Sequence, residues 1–325
     1  MGQESESREQ LTETGALRHL LTLEGLDRSL IEALLDLSEE YRRPIGQVPA
    51  RDNRLAGRTV ANLFFEASTR TRASFELAAK RMSADVLNLD VNTSSRIKGE
   101  SILDTIYTLE AMQADIFVIR DASAGVPTMI ASKVQPHISV LNAGEANISH
   151  PTQGLLDLLT IRQYKGDFEN LVVTIVGDIK HSRVARSAAQ GLRTMGVKAL
   201  HLVTPPGLEP NPDHYPDAVI TNEIDAGIEG ADVVMALRIQ RERITNASGL
   251  LTQDDYLKTY GLTKKRMQLA HPDAIVMHPG PMNRDVEIAG EVADGPQSVI
   301  TAQVANGLAV RMAILATISA ARSNP

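Results

Sequence analysis

Residues 59–82 read TVANLFFEASTRTRASFELAAKRM, which places a strand, a polar turn and a helix in direct succession. The first part, TVANLFF, is mostly apolar and β-branched or aromatic, a run typical of a buried strand. The last part, TRASFELAAKRM, repeats apolar side chains at helical spacing. These would form the buried side of a helix: Phe75, Ala78, Ala79 and Met82. A strand that leads straight into a helix is the repeating unit of parallel α/β sheets.

The same alternation continues along almost the whole chain. Further strands are predicted in VLNLD, DIFVIR, ISVLNAG, LVVTIVGD, KALHLVT, DVVMALR and AIVMHPG, with amphipathic helical stretches between them and a last helix near 300–321. This pattern predicts an α/β protein whose sheets are mostly parallel and flanked by helices. We expect a flexible tail and two such domains, divided as residues 1–15, 16–149 plus 305–325, and 150–304.

The composition excludes several classes of protein. Of the 325 residues, 43% are hydrophobic and 22% are charged, as in a globular protein. The net charge of −7 argues against a nucleic-acid binder, and the lack of cysteine excludes disulfides, thiolate catalysis and cysteine-ligated zinc. The start, MGQESESREQ, is polar, and the apolar stretch AVRMAILATISAA is interrupted by Arg311 and too short to span a bilayer. We therefore expect a cytoplasmic protein without membrane contact.

Three hydroxyls and two arginines are concentrated in Ser68-Thr69-Arg70-Thr71-Arg72, between the predicted strand and helix. A helix start leaves backbone N–H groups unpaired and carries a partial positive charge, so it suits a phosphate. An ordinary Ser/Thr cap beside exposed arginines is the alternative. Ligands collect at the carboxyl ends of strands in open parallel sheets, and this placement favours anion binding.

Two further polar segments follow predicted strands in the first half. The loop NTSSRIKGE, residues 92–100, could deliver Ser94 and Lys98 to a phosphate, although a plain surface loop is the simpler interpretation. The sequence HPTQ, residues 150–153, opens a long helix with its histidine and glutamine on one face and its proline in the first turn. A structural or solvated histidine is the alternative there.

The second half has three more polar strand ends. The turn VGD at 176–178 lacks the G-x-G-x-x-G fingerprint of dinucleotide folds and leads into Lys180, His181 and Arg183. The sequence RIQRER at 238–243 is also basic, so the two form either solvated faces or a second anion pocket. The sequence HPGP at 278–281 is either a plain turn or a rigid one that presents carbonyl oxygens to an amine. No pair of histidines has the spacing of a metal site.

In this order, S-T-R-T-R, S-x-x-x-K-G-E, H-P-T-Q, V-G-D-x-x-x-x-R, R-x-Q-x-E-R and H-P-x-P resemble the catalytic chains of the aspartate transcarbamoylase family. The resemblance runs from about Ala16 to Arg322. It implies a transcarbamoylase-like fold whose first domain binds carbamoyl phosphate and whose second binds L-aspartate, in an early step of pyrimidine biosynthesis. It also implies a homotrimer with shared active sites and no metal or organic cofactor. It leaves open whether trimers join regulatory or dihydroorotase-like chains.

The resemblance also assigns roles in binding carbamoyl phosphate. The phosphate would be held by Ser68, Thr69, Arg70 and Thr71. The carbamoyl oxygen would contact Arg120, at the end of DIFVIR, and His150, with Arg70 and Thr71 assisting. Gln153 would hold the carbamoyl nitrogen. Ser94 and Lys98 would reach in from the neighbouring subunit.

The acceptor site implied by the resemblance lies in the second domain. Aspartate's carboxylates would be bound by Arg183, Arg238 and Gln240, and Lys98 also suits a carboxylate. The amino group would meet the backbone of Pro279, Gly280 and Pro281. Gly280 stands where other members carry leucine, alanine or methionine, a change that is tolerable if only the carbonyl is used. Both substrates are anionic, so fixed arginines must offset their repulsion, and phosphate itself can accept the amine's proton.

Two alternatives remain. Ornithine transcarbamoylases are similar in S-x-R-T-R and H-P-x-Q but typically carry H-C-L-P, whereas this chain reads HPGP and lacks cysteine. Lys98 and the R-x-Q of Arg238 and Gln240 suit a second carboxylate, and ornithine's side-chain ammonium would be repelled there. The other alternative is a non-catalytic anion-binding subunit, against which every expected motif position holds a competent residue.

Overall fold

The computed structural model describes residues 10–89, 101–239 and 253–322. The chain forms two compact units, Met1–Leu156 with Ala305–Pro325, and Asp157–Val304. Each unit is built on a sheet whose strands are all parallel. The predicted class, two α/β domains with parallel sheets flanked by helices, is confirmed.

The first unit begins with helix α1 and then alternates strands and helices. Its elements are α1 (Arg28–Tyr41), β1 (Thr59–Phe64), α2 (Thr69–Arg81), β2 (Asp85–Leu89), α3 (Ile102–Ala111), β3 (Ile116–Asp121), α4 (Val126–Ala131) and β4 (Ser139–Glu145). The sheet order is β2-β1-β3-β4. Because β1, β3 and β4 are buried along almost their entire length, their apolar residues do not alternate strictly with polar ones.

Helix α5 (Pro151–Lys165) begins in the first unit and ends in the second. The second unit then contains β5 (Val172–Val176), α6 (Arg183–Met195), β6 (Ala199–Val203), a 3₁₀ turn (Pro212–His214), β7 (Ala218–Thr221), α7 (Ile224–Ile228), β8 (Val233–Ala236), α8 (Gln253–Tyr260), α9 (Lys264–Met267), β9 (Ile275–Met277) and α10 (Gly290–Ala293). The sheet order is β7-β6-β5-β8-β9. The order reverses on the two sides of β5, which makes the carboxyl ends of β5 and β8 a switch point.

The strand β7 is absent from the predicted elements. It has only four residues, AVIT, and none of them is fully buried. Its backbone pairing with β6, for example Leu202 with Ile220, stabilises a run that is too short to be predicted as a strand from its side chains. Edge strands of this kind carry a weak sequence signal because only one side is paired.

The last helix, α11 (Ile300–Arg322), corrects one sequence-based argument. Its segment Ile300–Ala321 has a mean hydropathy of 1.5 and is long and apolar enough to cross a membrane by those two criteria. The stretch AVRMAILATISAA, judged too short, is only part of this longer helix, so its length alone does not exclude a membrane span. However, 61% of the window is buried inside the protein, as in the core helix of a globular protein. Burial, and not length, is what distinguishes it.

Gly227 in α7 provides a test of the packing in the second unit. A Cβ added there would lie 2.2 Å from Val203 Cγ2, so the Val203 side chain, β6 or α7 must shift. We expect Gly227→Ala to lower the free energy of unfolding by about 1–3 kcal/mol. Thermal unfolding checks this.

Gly290→Ala, at the start of α10, is the matched control, since its Cβ would have no neighbour closer than 3.7 Å. It is expected to be neutral or stabilising by about 0.4–1 kcal/mol, because alanine restricts the unfolded chain. Equal loss in both variants would contradict this account of the α7–β6 contact.

Candidate active site

The hydroxyl and arginine cluster lies where the sequence predicts it, after the end of β1, with Ser68 at the N-cap and residues 69–72 in the first turn of α2. Ser68 occupies the N-cap position, but its side chain makes no capping hydrogen bond. No acidic residue lies in the first turn. An ordinary Ser/Thr cap therefore does not describe Ser68. The helix start keeps its positive end for another acceptor, and a phosphate fits that requirement.

Arg120 is placed beside this cluster by the pairing of β1 with β3, in which Phe64 is opposite Arg120. The guanidinium is buried, donates to the Ala143 carbonyl over 3.1 Å, and forms an ion pair of 3.2 Å with Glu66 Oε1. Glu66 is two residues before Ser68 and was not among the predicted site residues. An incoming anion must therefore compete with a carboxylate for this arginine.

His150 and Gln153 follow β4, the third neighbouring strand. The carbonyl of His150 accepts hydrogen bonds from the N–H groups of Gln153 and Gly154, at 2.9 and 3.2 Å, and so begins α5. Both side chains are buried, with 5% and 9% exposure. Since β1, β3 and β4 are adjacent and parallel, their carboxyl ends bring Ser68–Arg72, Arg120, and His150 with Gln153 to one edge of the sheet.

In the second unit, Arg183 and Arg238 follow β5 and β8, which pair directly through Val176 and Ala236. Arg183 is the first residue of α6, and the preceding Ser182 hydroxyl accepts from the Ala185 N–H over 3.0 Å. Arg238 is exposed at the end of β8. The two basic strand ends therefore adjoin one another at the switch point, as the anion-pocket hypothesis requires.

The glycine of the VGD turn, Gly177, has a structural reason that does not involve nucleotide binding. Its φ is +137°, and a Cβ there would lie 3.0 Å from Leu237 Cβ and 3.2 Å from the Leu237 carbonyl oxygen. The glycine permits the ends of β5 and β8 to approach closely. Asp178, which follows it, is buried and contacts His181 Nδ1 at 2.9 Å.

The turn at 278–281 is held from behind by buried polar groups. His278 is fully buried; its Nδ1 accepts from the Gly280 N–H over 2.7 Å, so its proton is on Nε2, which donates to Glu287 Oε1 over 3.1 Å. The His278 N–H donates to Gln303 Oε1 over 3.0 Å. Pro279 and Gly280 are half-buried and Pro281 is exposed, with a cis bond between Gly280 and Pro281. The turn is thus rigidly supported while its outer side stays accessible.

Glu287 is the centre of this support and was missed by the sequence analysis. Besides His278, it accepts from the Asn283 N–H over 2.5 Å and from Asn283 Nδ2 over 3.2 Å. Asn283 Nδ2 also donates to the Ile239 carbonyl over 3.2 Å, which ties the turn to the segment after β8. In the sequence, Glu287 is only a glutamate nine residues after His278, and that spacing matches no known turn or helix pattern that would predict a contact.

Ser94, Lys98 and Gln240 lie outside the described residues. Among the described ones, Asp232, His271 and Asp273 could bring three metal-ligating atoms together. However, Lys165 Nζ lies 2.8 Å from Asp273 Oδ1 and 4.0 Å from Asp232 Oδ1. The Lys165 ammonium therefore already supplies the positive charge that a metal ion would bring to these carboxylates. This cluster is an ion-pair network on the second unit.

A substitution at Glu287 tests whether its charge holds the turn. In Glu287→Gln, an amide nitrogen replaces one of the two oxygens toward which His278 and Asn283 donate. We expect a loss of about 1–3 kcal/mol in the free energy of unfolding, because one buried donor loses its acceptor.

Glu291→Gln is the control for this variant, since Glu291 is exposed in α10. Surface substitutions of this kind stay within about 0.5 kcal/mol. Urea unfolding of both variants measures the difference. A Glu287→Gln protein as stable as the Glu291→Gln protein would show that the carboxylate is not needed.

Comparison with known proteins relates both units to one family. The model described as the aspartate/ornithine carbamoyltransferase carbamoyl-P binding domain matches residues 18–163. The Asp/Orn binding domain model of the same family matches residues 169–318. Together they cover most of the chain.

Solved structures agree. Aspartate transcarbamoylase from Trypanosoma cruzi in complex with carbamoyl phosphate is 32% identical, with a TM-score of 0.83 over 93% of this chain and 95% of that one. The same enzyme with N-(phosphonacetyl)-L-aspartic acid is 30% identical, with a TM-score of 0.82 over 95% and 98%. Ornithine carbamoyltransferase from Thermus thermophilus is 25% identical, with a TM-score of 0.81 over 93% and 98%.

Proposed function

The chain belongs to the aspartate/ornithine carbamoyltransferase family, and we propose that it transfers the carbamoyl group of carbamoyl phosphate to the amino group of L-aspartate. The products are N-carbamoyl-L-aspartate and phosphate. Within the family, the choice of acceptor is the open question. The observation that carries our choice is the pair of basic strand ends, Arg183 after β5 and Arg238 after the adjoining β8. Two guanidinium groups that follow paired strands suit a dicarboxylate and disfavour a second ammonium.

Other observations support aspartate over ornithine. Identity to the aspartate transcarbamoylase with carbamoyl phosphate is 32%, against 25% for the ornithine enzyme. The chain has no cysteine, and HPGP stands where ornithine enzymes typically carry H-C-L-P. The aspartate enzyme's structures include complexes with aspartate and with carbamoyl aspartate. A chain of this family that used ornithine would need a different set of charges at the ends of β5 and β8.

The first unit supplies the groups that bind carbamoyl phosphate. The phosphate binds at the start of α2, where its oxygens accept hydrogen bonds from backbone N–H, hydroxyl and guanidinium groups. The residues that supply these donors are Ser68, Thr69, Arg70 and Thr71. Arg120 and His150 donate to the carbamoyl oxygen, and Gln153 holds the carbamoyl nitrogen. Arg120 exchanges its Glu66 partner, at 3.2 Å, for the substrate. The net contribution of Arg120 to substrate binding is therefore reduced by the cost of breaking that ion pair.

The chemical step follows from this placement. The aspartate nitrogen attacks the carbamoyl carbon, and a negative charge develops on the carbonyl oxygen. Fixed donors at that oxygen stabilise the charge, and each is typically worth about 10²–10³ in rate. The C–O bond to phosphate then breaks, its electron pair leaves with the phosphate, and the phosphate takes the amine's proton. Holding both reactants in line contributes a further ~7–11 kcal/mol.

The second unit supplies the acceptor. Arg183, Arg238 and Gln240 bind the carboxylates, and the carbonyl oxygens of the turn at 279–281 receive the amino group. That turn needs a fixed backbone, which the His278–Glu287 support provides. Ser94 and Lys98 come from a neighbouring subunit of a homotrimer. The setting is cytoplasmic, in an early step of pyrimidine biosynthesis.

Arg238→Ala tests the choice of acceptor. We expect the KM for aspartate to rise about 10- to 100-fold, since a hydrogen bond to a charged group is worth roughly 1.5–3 kcal/mol. The KM for carbamoyl phosphate is expected to change little. Product formation is measured with aspartate and with ornithine, in the wild-type chain and in the variant.

Arg193→Ala is the matched control, because Arg193 is a half-exposed arginine in the last turn of α6, away from its start. It is expected to leave both KM values unchanged. Activity of the wild-type chain with ornithine but not aspartate would overturn the proposed acceptor. Equal loss of affinity for both substrates in Arg238→Ala would contradict a separate carboxylate site.

Complementation tests the shared site. Arg70→Ala and Lys98→Ala chains are each expected to be nearly inactive, with a loss of at least ~10²–10³ in rate for Arg70→Ala. When the two are dissociated, mixed and reassembled, some sites combine an intact Arg70 with an intact Lys98 from the neighbour. We expect partial recovery of activity in such mixtures. Demonstrably mixed trimers without recovery would place both residues in one chain's site.

A further inference from the structure

Arg311 in α11 is a buried arginine without an acidic partner. Its side chain is only 4% exposed. Nη1 donates to the Gly307 carbonyl over 2.7 Å, and the guanidinium lies 5.0 Å from the centroid of the Phe75 ring. Nε has no hydrogen-bond partner. Within the described part of the chain, no carboxylate forms an ion pair with it.

The stability of the fold does not explain this arginine. Burial of a charge is costly, and one carbonyl and one aromatic ring offset only part of that cost. Burial lowers the pKa of the Arg311 guanidinium to about 10, so the group still carries its proton at neutral pH. Apolar residues of similar volume commonly stabilise a protein when they replace such groups. The first unit therefore keeps a positive charge that its packing does not require.

The surroundings of Arg311 connect it to the phosphate site. Phe75 is four residues after Thr71 on α2, and side chains on a helix lean toward its N-terminus. Phe75 therefore belongs to the same helix as the Ser68–Thr71 cluster and lies close behind its first turn. The guanidinium lies 5.0 Å from the ring centroid, and Thr69 is six residues or about 9 Å along the helix from Phe75, so the charge lies roughly 10–15 Å from the start of α2.

A second helix of the site adjoins the same charge. Gly307 makes room for the guanidinium, because a Cβ there would lie 2.7 Å from Arg311 Nη1 and 3.2 Å from Leu156 Cδ2. Leu156 belongs to α5, whose start carries His150 and Gln153. Arg311 therefore contacts α2 through Phe75 and lies near α5 across Gly307, and the first turns of these two helices form the predicted carbamoyl phosphate site.

We propose that Arg311 is an electrostatic positioning residue of the carbamoyl phosphate site, which increases its affinity for the phosphate dianion without touching it. This proposal rests on the proposed function of that site. A buried charge is screened by solvent and salt less than a surface charge is. At roughly 10–15 Å from a dianion and an effective dielectric constant of roughly 20–30, the attraction is large enough for about a tenfold change in affinity.

Arg311→Met removes the charge and keeps a flexible apolar side chain of similar length. We expect the dissociation constants of inorganic phosphate and of carbamoyl phosphate to rise about tenfold, as measured by calorimetric titration without an amino acid. The melting temperature is expected to stay the same or rise. In turnover, the KM for carbamoyl phosphate rises, whereas kcat and the KM for aspartate change less than twofold. A purely structural residue would instead lower the melting temperature and leave phosphate affinity unchanged.

Three further variants separate the local charge of Arg311 from net charge and from a folding defect. Arg43→Met removes an exposed arginine from the same unit and is expected to leave phosphate affinity unchanged, which separates local from net charge. If Arg311→Met folds poorly, Arg311→Lys and Arg311→Gln test the proposal instead. Both variants lose the planar guanidinium group, and only lysine can keep a positive charge. Tight phosphate binding by lysine and weak binding by glutamine supports the proposal. Equal affinity in that pair, or a folded Arg311→Met within twofold of wild type, overturns it.

Phosphate binding needs no amino-acid acceptor, so these outcomes are independent of the choice between aspartate and ornithine. If the wild-type chain binds phosphate but does not carbamoylate aspartate, the proposed acceptor fails while the Arg311 comparison still stands. If the wild-type chain binds neither phosphate nor carbamoyl phosphate, both proposals fail together.

Discussion

Parallel strand pairing is the constraint on which the site depends. Because every strand in each sheet runs in the same direction, each connection at a carboxyl end reaches the same edge of its sheet. The helix that follows then presents its unpaired N–H groups at that edge. In the first unit this places Ser68, Arg120 and His150, which are far apart in sequence, at the ends of three adjacent strands. The topology therefore produces an edge that suits an anion before any single side chain is chosen.

Within this frame, each unit places one charged group beside its predicted site. In the first unit, Arg120 lies at the end of β3 and forms an ion pair with Glu66. In the second unit, Glu287 lies behind the turn at 278–281 and accepts a hydrogen bond from His278 Nε2. A guanidinium can bind a phosphate or a carbonyl oxygen, and a carboxylate favours a positively charged group nearby. These two charges thus match different groups of the proposed substrates.

The sequence was informative where chemistry is local and uninformative where it is not. The TVANLFF strand and the STRTR helix start lie within one short segment, so periodicity and capping rules identify both. The Arg120–Glu66 ion pair joins residues 54 positions apart, and only the β1–β3 register brings them together. Glu287 and Arg311 were missed for the same reason: a buried charge reads as an ordinary surface residue until its neighbours are known. The apolar stretch around Arg311 was judged on length, whereas burial decides its role.

The hydrogen bonds behind the turn at 278–281 explain why position 280 can be a glycine. The carbonyl oxygens of the turn, and not the side chain at position 280, are the groups proposed to meet the amine. The backbone on both sides is anchored, since His278 accepts from the Gly280 N–H and Glu287 accepts from the Asn283 N–H. Gly280 has a φ of +63°, a conformation that glycine adopts without strain. A residue without a side chain is compatible with a fixed turn here because the order comes from hydrogen bonds behind it, and the entropy that glycine adds to the unfolded chain is offset by that network.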